Sequence, residues 1–148
     1  MADVLVVYDS RTGNTEAAAR EIAEGVREAG ASVEVKRVQE TRTEDIEGAK
    51  ALVLGSYCIN ENYSGEMREF INKVLANSQY HEKFGAAFGT HKWKGGNVPK
   101  LEKDLLDMGL PLLAPGVNAR MKPGTEDAAK LRALGKIVGI AAGGKLAV

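Results

Sequence analysis

The sequence predicts an α/β fold in which a parallel β-sheet lies between two layers of helices. Short apolar segments alternate with amphipathic helical segments, giving the order β-α-β-α-β-α-β-α-β-α. Two of the apolar segments, residues 4–8 and 51–56, are almost continuously apolar, which is typical of strands buried on both faces. No Pro-, Gly- or Ser-rich linker divides the chain, so we expect one domain over residues 1–148.

Five strands are predicted from apolar or alternating segments. They cover residues 4–8, 32–38, 51–56, 83–89 and 110–114. The second strand alternates between apolar and polar residues, as a strand with one buried face does. The fifth contains Pro111, which has no N–H for a sheet ladder, so that strand belongs at an edge. With right-handed crossover connections, these constraints predict a five-stranded parallel sheet in the spatial order 2-1-3-4-5.

Five helices are predicted between and after these strands, mostly from apolar residues spaced three or four apart. The apolar positions are Ala18, Ile22 and Val26 in the first helix, Met67, Phe70, Ile71 and Val74 in the third, Val98, Leu101, Leu105 and Met108 in the fourth, and Leu131, Leu134 and Val138 in the fifth. The second helix is short, at residues 43–48, and the last covers residues 125–141. Gly30 is a typical end for the first helix, and Pro99 is tolerated because it lies in the first turn of the fourth.

Composition argues against several classes of function. Basic and acidic residues number 20 each, so no overall charge favours nucleic acid or an anionic membrane. One cysteine and two histidines do not support a disulfide framework or a metal site. The first residues lack a signal-peptide pattern and no apolar segment reaches membrane-spanning length, so we expect a cytoplasmic protein.

Three polar loops follow the first, third and fourth strands. They are DSRTGNT (9–15), SYCINENYSG (56–65) and THKWKGG (90–96). Because ligands of open parallel sheets bind beyond the carboxyl ends of the strands, we expect these loops to form one site. The loops hold Tyr57, Tyr63 and Trp93, three of only eight aromatic residues in the chain.

The first loop has the chemistry of a phosphate site. It offers the hydroxyls of Ser10, Thr12 and Thr15, and it turns at Gly13 into the amino end of a helix, where free amides and the helix dipole favour an anion. The alternative is that these hydroxyls simply cap the helix. The aromatic residues of the other two loops are suited to a planar heterocycle, although Tyr57 or Tyr63 alone could instead pack within its loop.

These three segments resemble motifs of the flavodoxin-like family. SRTGNT matches its phosphate loop, [ST]-x-T-G-x-T, at every constrained position. GSYCINEN is similar to the GSPTINN loop of A-type (diiron) flavoproteins, and GAAFGTHKWKGG is similar to their GAAFGSYGWSGG. The resemblance spans nearly the whole chain and implies a flavodoxin-like three-layer sandwich that binds FMN, like a short flavodoxin or the flavodoxin domain of an A-type flavoprotein.

The resemblance also implies which residues hold FMN. The phosphate would be held by Ser10, Arg11, Thr12, Gly13, Asn14 and Thr15. One side of the ring would be lined by Ser56, Tyr57, Cys58, Ile59, Asn60 and Asn62, and the other by Thr90, His91, Trp93, Gly95 and Gly96. Tyr57 and Cys58 replace the Pro-Thr pair of the A-type pattern. We assign no catalytic residue and no metal ligand.

Three functions are compatible with this interpretation. We favour an electron carrier that passes electrons between redox partner proteins, because no general acid, nucleophile or nicotinamide site is evident. The alternatives are an FMN-dependent NAD(P)H or quinone oxidoreductase and an FMN module that serves a separate catalytic partner. Two other functions of this architecture are excluded. The chain lacks the aspartate after the third strand that a phosphorelay receiver needs, and it lacks the first-loop cysteine that a low-molecular-weight tyrosine phosphatase needs.

Overall fold

The computed structural model describes residues 2–143. The strands are β1 (Val4–Asp9), β2 (Val33–Arg37), β3 (Ala51–Ile59), β4 (Asn62–Tyr63), β5 (Phe84–His91) and β6 (Val117–Arg120). The helices are α1 (Asn14–Glu28), α2 (Thr43–Gly48), α3 (Gly65–Phe70), α4 (Asn97–Asp107) and α5 (Thr125–Ala141), with a short 3₁₀ segment at Val38–Glu40. The predicted third helix continues past α3 as a π-helical turn at Ile71–Leu75.

The five long strands form a parallel sheet in the order β2-β1-β3-β5-β6. This confirms the predicted α/β fold with β1 and β3 inside the sheet, but the predicted order 2-1-3-4-5 is not met in full, because the last strand comes from other residues. Their registers run from Val4 opposite Ala51 to Asp9 opposite Ser56, so the two loops that follow start side by side. The strand order reverses between β1 and β3, because β2 is added on one side of β1 and β3 on the other. Ligands of such sheets bind at this point.

Two apolar cores cover the two faces of the sheet. On one face, Val4 and Val6 pack with α1 and α5 through residues such as Ile22 and Leu134. On the other face, residues such as Leu5 pack with α2, α3 and α4. The alternation along β1 sends successive side chains into opposite cores, and for this reason residues Val4 to Tyr8 are all apolar.

Two features of the sheet differ from the prediction. The last strand is β6, not residues 110–114. Leu112 makes only an isolated bridge to Gly85, because Pro111 and Pro115 have no N–H to donate to a sheet ladder. Regular pairing with β5 begins after these prolines, at Val117. The sheet also has a sixth strand, β4, whose two residues pair antiparallel with the end of β3.

Among residues 2–143, every helix is too short or too polar to cross a lipid bilayer.

Candidate functional site at the carboxyl edge of the sheet

A cavity of about 240 Å³ opens where β1, β3 and β5 end. Its lining comes from all three predicted loops and from one residue beyond β6. The lining residues are Arg11, Thr12, Asn14, Tyr57, Cys58, Thr90, His91, Lys92 and Met121. The three loops therefore meet at one edge of the sheet, as the strand pattern predicted.

The first loop presents an uncapped helix end to this cavity. The Ser10 hydroxyl accepts a hydrogen bond from the Gly13 N–H at 3.0 Å, and Gly13 has a left-handed φ of 92°, which a residue with a Cβ adopts only with strain. Among residues 2–143, no side-chain hydrogen bond caps the amino end of α1. The alternative in which the loop hydroxyls cap the helix is therefore wrong, and the first amides of α1 remain donors without an intrahelical acceptor.

The hydroxyl of Thr15 has a different role from that of Thr12. Thr12 is exposed and lines the cavity, whereas Thr15 is buried and its Oγ1 lies 2.7 Å from Oγ1 of Thr90. This hydrogen bond fixes the start of α1 against the end of β5. Thr15 and Thr90 thus hold two loops at a set distance across the cavity.

The second loop is a β-hairpin. Asn60 and Glu61 both have positive φ values, 51° and 59°, and connect β3 to β4 in a two-residue turn. The Asn62 side chain accepts from the Tyr63 N–H at 2.8 Å. At the base of the hairpin, buried Ser56 donates to the Tyr57 carbonyl and accepts from the Ser64 N–H.

A buried amide network, which no sequence pattern predicted, supports the third loop. Asn97, at the start of α4, donates to the carbonyl oxygens of Ser56 at 2.9 Å and Thr90 at 3.2 Å. Its own Oδ1 accepts from Nδ2 of Asn118 at 2.8 Å. One side chain that is 1% exposed therefore joins the ends of β3, β5 and β6.

The network also determines the tautomer of His91. Nδ2 of Asn118 donates to the Gly95 carbonyl and to Asn97, so its Oδ1 is an acceptor. This Oδ1 lies 3.1 Å from Nδ1 of His91, which must therefore carry the proton. Nε2 is left as the ring nitrogen available to a ligand in the cavity.

Tyr57 and Arg11 form a second wall of the cavity. The guanidinium carbon of Arg11 lies 5.0 Å from the centre of the Tyr57 ring, and Nη2 donates to the phenol oxygen at 3.5 Å. Burial, followed by the nearby carboxylate of Asp9, raises the pKa of the Tyr57 phenol. This phenol is therefore neutral and can donate or accept a hydrogen bond near the ligand.

Asp9, the last residue of β1, is a buried carboxylate that sequence reasoning did not single out. Its Oδ2 has no hydrogen-bond partner among residues 2–143. Burial raises the pKa of Asp9, and the charge of Glu66 raises it further, while Ser64 and Arg11 oppose the shift. A carboxyl group in this setting favours its protonated form.

Several residues predicted for the site lie off the cavity wall. Trp93 is 88% exposed, while Ile59 and Asn60 lie at the hairpin turn. Gly95 and Gly96 allow close packing: a Cβ would lie 2.3 Å from Nδ2 of Asn118 in the first case and 2.5 Å from the Glu61 carbonyl in the second. None of these five residues is among those that line the cavity.

The three aromatic residues do not form one cluster. Tyr63 is 4% exposed, packs in the core on the α3 and α4 face, and donates its phenol hydrogen to Asp104. Burial and this hydrogen bond raise the pKa of the Tyr63 phenol. Tyr63 therefore packs its own loop, the second of the two possibilities raised by the sequence, and Tyr57 is the tyrosine on the cavity.

These observations define a class of protein. The fold is a doubly wound α/β sheet, and the site combines a free helix amino end with a cavity walled by an aromatic ring and polar groups. Such a donor set is suited to a phosphate joined to a planar heterocycle.

Comparisons with known proteins agree with this class. The sequence profile of the flavodoxin family matches residues 6–134. A flavodoxin from Aquifex aeolicus is 39% identical over an alignment of 101 positions that covers 66% of this chain and 55% of the relative. An NAD(P)H dehydrogenase (quinone) from Archaeoglobus fulgidus is 32% identical over an alignment of 145 positions that covers 79% of this chain and 74% of the relative.

Solved structures agree as well. A flavodoxin from the domain Archaea superposes with a TM-score of 0.90 at 26% identity, covering 94% of this chain and 97% of that one. The chain belongs to the flavodoxin family. The family's cofactor is FMN, which confirms the cofactor inferred from the three motifs. The chain spans only about half the length of the Aquifex relative.

Proposed function

We propose that this protein is an electron carrier that binds FMN at the carboxyl edge of its sheet and exchanges electrons with redox partner proteins in the cytoplasm. The observation that supports this most directly is the uncapped amino end of α1 beside the cavity. An anion bound there satisfies amides that would otherwise lack acceptors and gains from the helix dipole.

The residues around the cavity are suited to FMN. In our proposal, Ser10, Arg11, Thr12, Gly13, Asn14 and Thr15 form the phosphate site, with backbone amides and the Thr12 hydroxyl as donors. Tyr57 and Cys58 line the ring on the β3 side, and His91 lines it on the β5 side. The remaining predicted residues support these contacts: Ser56, Ile59, Asn60 and Asn62 through the hairpin, and Thr90, Trp93, Gly95 and Gly96 through the third loop.

FMN supplies the redox chemistry when bound, by accepting and releasing electrons. The chain's own groups set the conditions for it. Nε2 of His91 and the neutral phenol of Tyr57 can hydrogen-bond to a ligand's polar edge. The Thr15–Thr90 bond and the Asn97 amide hold the loops in place, so that little reorganisation is needed at the site.

A second candidate function is an FMN-dependent NAD(P)H or quinone oxidoreductase. The similarity to the Archaeoglobus fulgidus NAD(P)H dehydrogenase (quinone) favours it, since that match covers more of this chain than the match to the Aquifex flavodoxin does. In that case the cavity would also have to admit a nicotinamide or a quinone beside FMN.

Anaerobic kinetics of the FMN-loaded protein separate these functions. A carrier is reduced rapidly by a reduced ferredoxin and oxidises NADH or NADPH negligibly in the presence of a soluble quinone. Sustained NAD(P)H-dependent quinone reduction would establish the oxidoreductase instead. A protein that binds no FMN in equilibrium titration would refute both functions.

A further inference from the structure

We propose that the mouth of the cavity is a docking surface for an acidic redox protein. The surface is the basic rim, defined as Arg11, Lys92, Lys94, Arg120 and Lys122. This inference rests on the proposed carrier function and adds the charge of the partner to it. The overall charge of the chain is zero, so a basic surface at this edge is a local property.

Within residues 2–143, the rim cations form no ion pair with an acidic side chain. Ten of the nineteen lysines and arginines in residues 2–143 form ion pairs with acidic side chains; they are Arg20, Arg27, Lys36, Arg37, Lys50, Lys73, Lys103, Lys130, Arg132 and Lys136. All five rim residues are among the nine described cations without such a pair. Lys92, Lys94, Arg120 and Lys122 therefore keep positive charges that are available to a partner. Arg11 also lies over the Tyr57 ring and belongs to the phosphate site of the proposed function.

Three elements bring the rim together in space. Arg11, Lys92 and Met121 line the same cavity. Arg120 is the register partner of His91 in the sheet, and the Met121 N–H donates to the His91 carbonyl at 2.8 Å. Lys94 and Lys122 follow these residues in the same two loops, and both side chains are exposed.

Acidic groups near the rim do not cancel it. Glu126 pairs with Lys130 at 3.6 Å, and a carboxylate oxygen of Asp127 accepts from the Arg120 N–H at 3.2 Å. Asp9 at the end of β1, Glu61 in the hairpin turn and Glu66 in α3 are the acidic residues on the neighbouring elements. Among residues 2–143, no carboxylate lies within ion-pair distance of a rim cation.

An apolar contact lies inside the rim. Met121 is 48% exposed, and its φ of 56° is strained for a side chain of this size. This strain places an exposed thioether between Arg120 and Lys122, at the cavity mouth. An apolar centre surrounded by charges of one sign is the usual composition of a docking site, in which the charges steer encounter and the centre is desolvated.

Two probe proteins test this inference: an acidic plant-type ferredoxin and the basic protein cytochrome c, both oxidised. We would measure the dissociation constant of each with the FMN-loaded protein by NMR titration at low and moderate salt. We expect the ferredoxin to bind more tightly than cytochrome c, and its affinity to fall about tenfold or more between ~10 and ~200 mM salt, because salt screens exposed charges.

A matched pair of variants locates the effect. R120E/K122E should weaken ferredoxin binding about tenfold or more, whereas K50E/K136E, with the same change in net charge at positions away from the rim, should alter it less than about twofold. Neither pair lines the cavity, so FMN affinity should be unchanged. Equal effects of the two pairs, or tighter binding of cytochrome c, would overturn the inference.

The binding titration tests whether the rim is a docking surface and does not depend on electron transfer. The carrier function is judged separately, by the rate at which reduced ferredoxin reduces the FMN-loaded protein. A docking surface without electron transfer would refute the carrier function and leave the rim standing. If electron transfer occurs, is insensitive to R120E/K122E and is not accompanied by ferredoxin binding at the rim, the docking surface is refuted and the carrier function stands.

Discussion

Replacement of Asn97 by alanine should destabilise both the fold and the ligand site. The change removes two hydrogen bonds to the Ser56 and Thr90 carbonyl oxygens and one from Asn118. Ser56 and Thr90 are 0% and 3% exposed, so water cannot readily replace the lost donors. A hydrogen bond contributes a net of about 1 kcal/mol to stability, and an unsatisfied buried polar group costs about 1–3 kcal/mol. We therefore expect the free energy of unfolding to fall by about 2–4 kcal/mol.

Urea unfolding monitored by circular dichroism measures this loss. The midpoint should fall while the slope of the free energy with urea stays constant, since the surface exposed on unfolding is unchanged. The thermal midpoint should fall by about 5–15 °C for a chain of this size. FMN affinity should also fall, because Asn97 holds the ends of β3 and β5 on the two sides of the cavity.

Two further variants provide controls for this prediction. Asn97→Asp keeps the shape and the acceptor but directs a carboxylate at two carbonyl oxygens, so it should destabilise at least as much as alanine. Asn77→Ala removes an exposed amide that donates to the Lys73 carbonyl at 2.8 Å, and it should cost less than about 0.5 kcal/mol. A loss below about 1 kcal/mol for Asn97→Ala would refute this account of the network.

Three other predictions follow from the packing and charges. Gly135→Ala should destabilise the protein by about 1–3 kcal/mol in urea unfolding, because its Cβ would lie 2.0 Å from the Ile22 carbonyl where α5 crosses α1. Asp9→Asn should stabilise the protein at pH 7 but not near pH 4 in the same assay: a carboxyl whose pKa is raised in the folded state favours folding less as the pH rises above its unfolded value. Lys92→Glu with Lys94→Glu should lower the midpoint potential of bound FMN by tens of millivolts in a redox titration, since cations favour the added negative charge; unchanged potentials would contradict this.

The fold was predictable because it depends on local patterns. The central strand β1 is apolar from Val4 to Tyr8, and α5 was predicted at the bounds that the structure shows, residues 125–141. The last strand was misplaced because its apolar segment, residues 110–114, resembles a strand more than β6 does. Pro111 was interpreted as the mark of an edge strand, whereas it prevents regular pairing of this segment. No sequence pattern indicated the register of β6.

The hairpin strand β4 is too short to be predicted from a periodic pattern. Its two residues are too few to show alternation, and its turn places Glu61 at a positive φ where glycine is usual. Asn60 was a weak signal, because asparagine tolerates this conformation better than other residues. A two-residue loop of Asn-Glu is nevertheless not a pattern that predicts a turn.

The candidate site was predictable in part. Parallel strands bring their carboxyl ends together, so the meeting of the three loops followed from the strand order. The Asn97–Asn118 contact joins residues 21 positions apart through amides with no periodic pattern, so nothing local indicated it. The sequence also left open whether the loop hydroxyls cap α1, which depends on atomic directions that only the structure supplies.

The central claim is that the amino end of α1 holds the phosphate of FMN. Dissociation constants of FMN and riboflavin, measured by fluorescence quenching for the wild type and Thr12→Val, test it most directly. Riboflavin lacks the phosphate, so the variant should weaken FMN about tenfold or more, the value of one hydrogen bond to a charged group, and riboflavin less than about twofold. Equal losses for the two ligands, or equal affinities in the wild type, would contradict the claim.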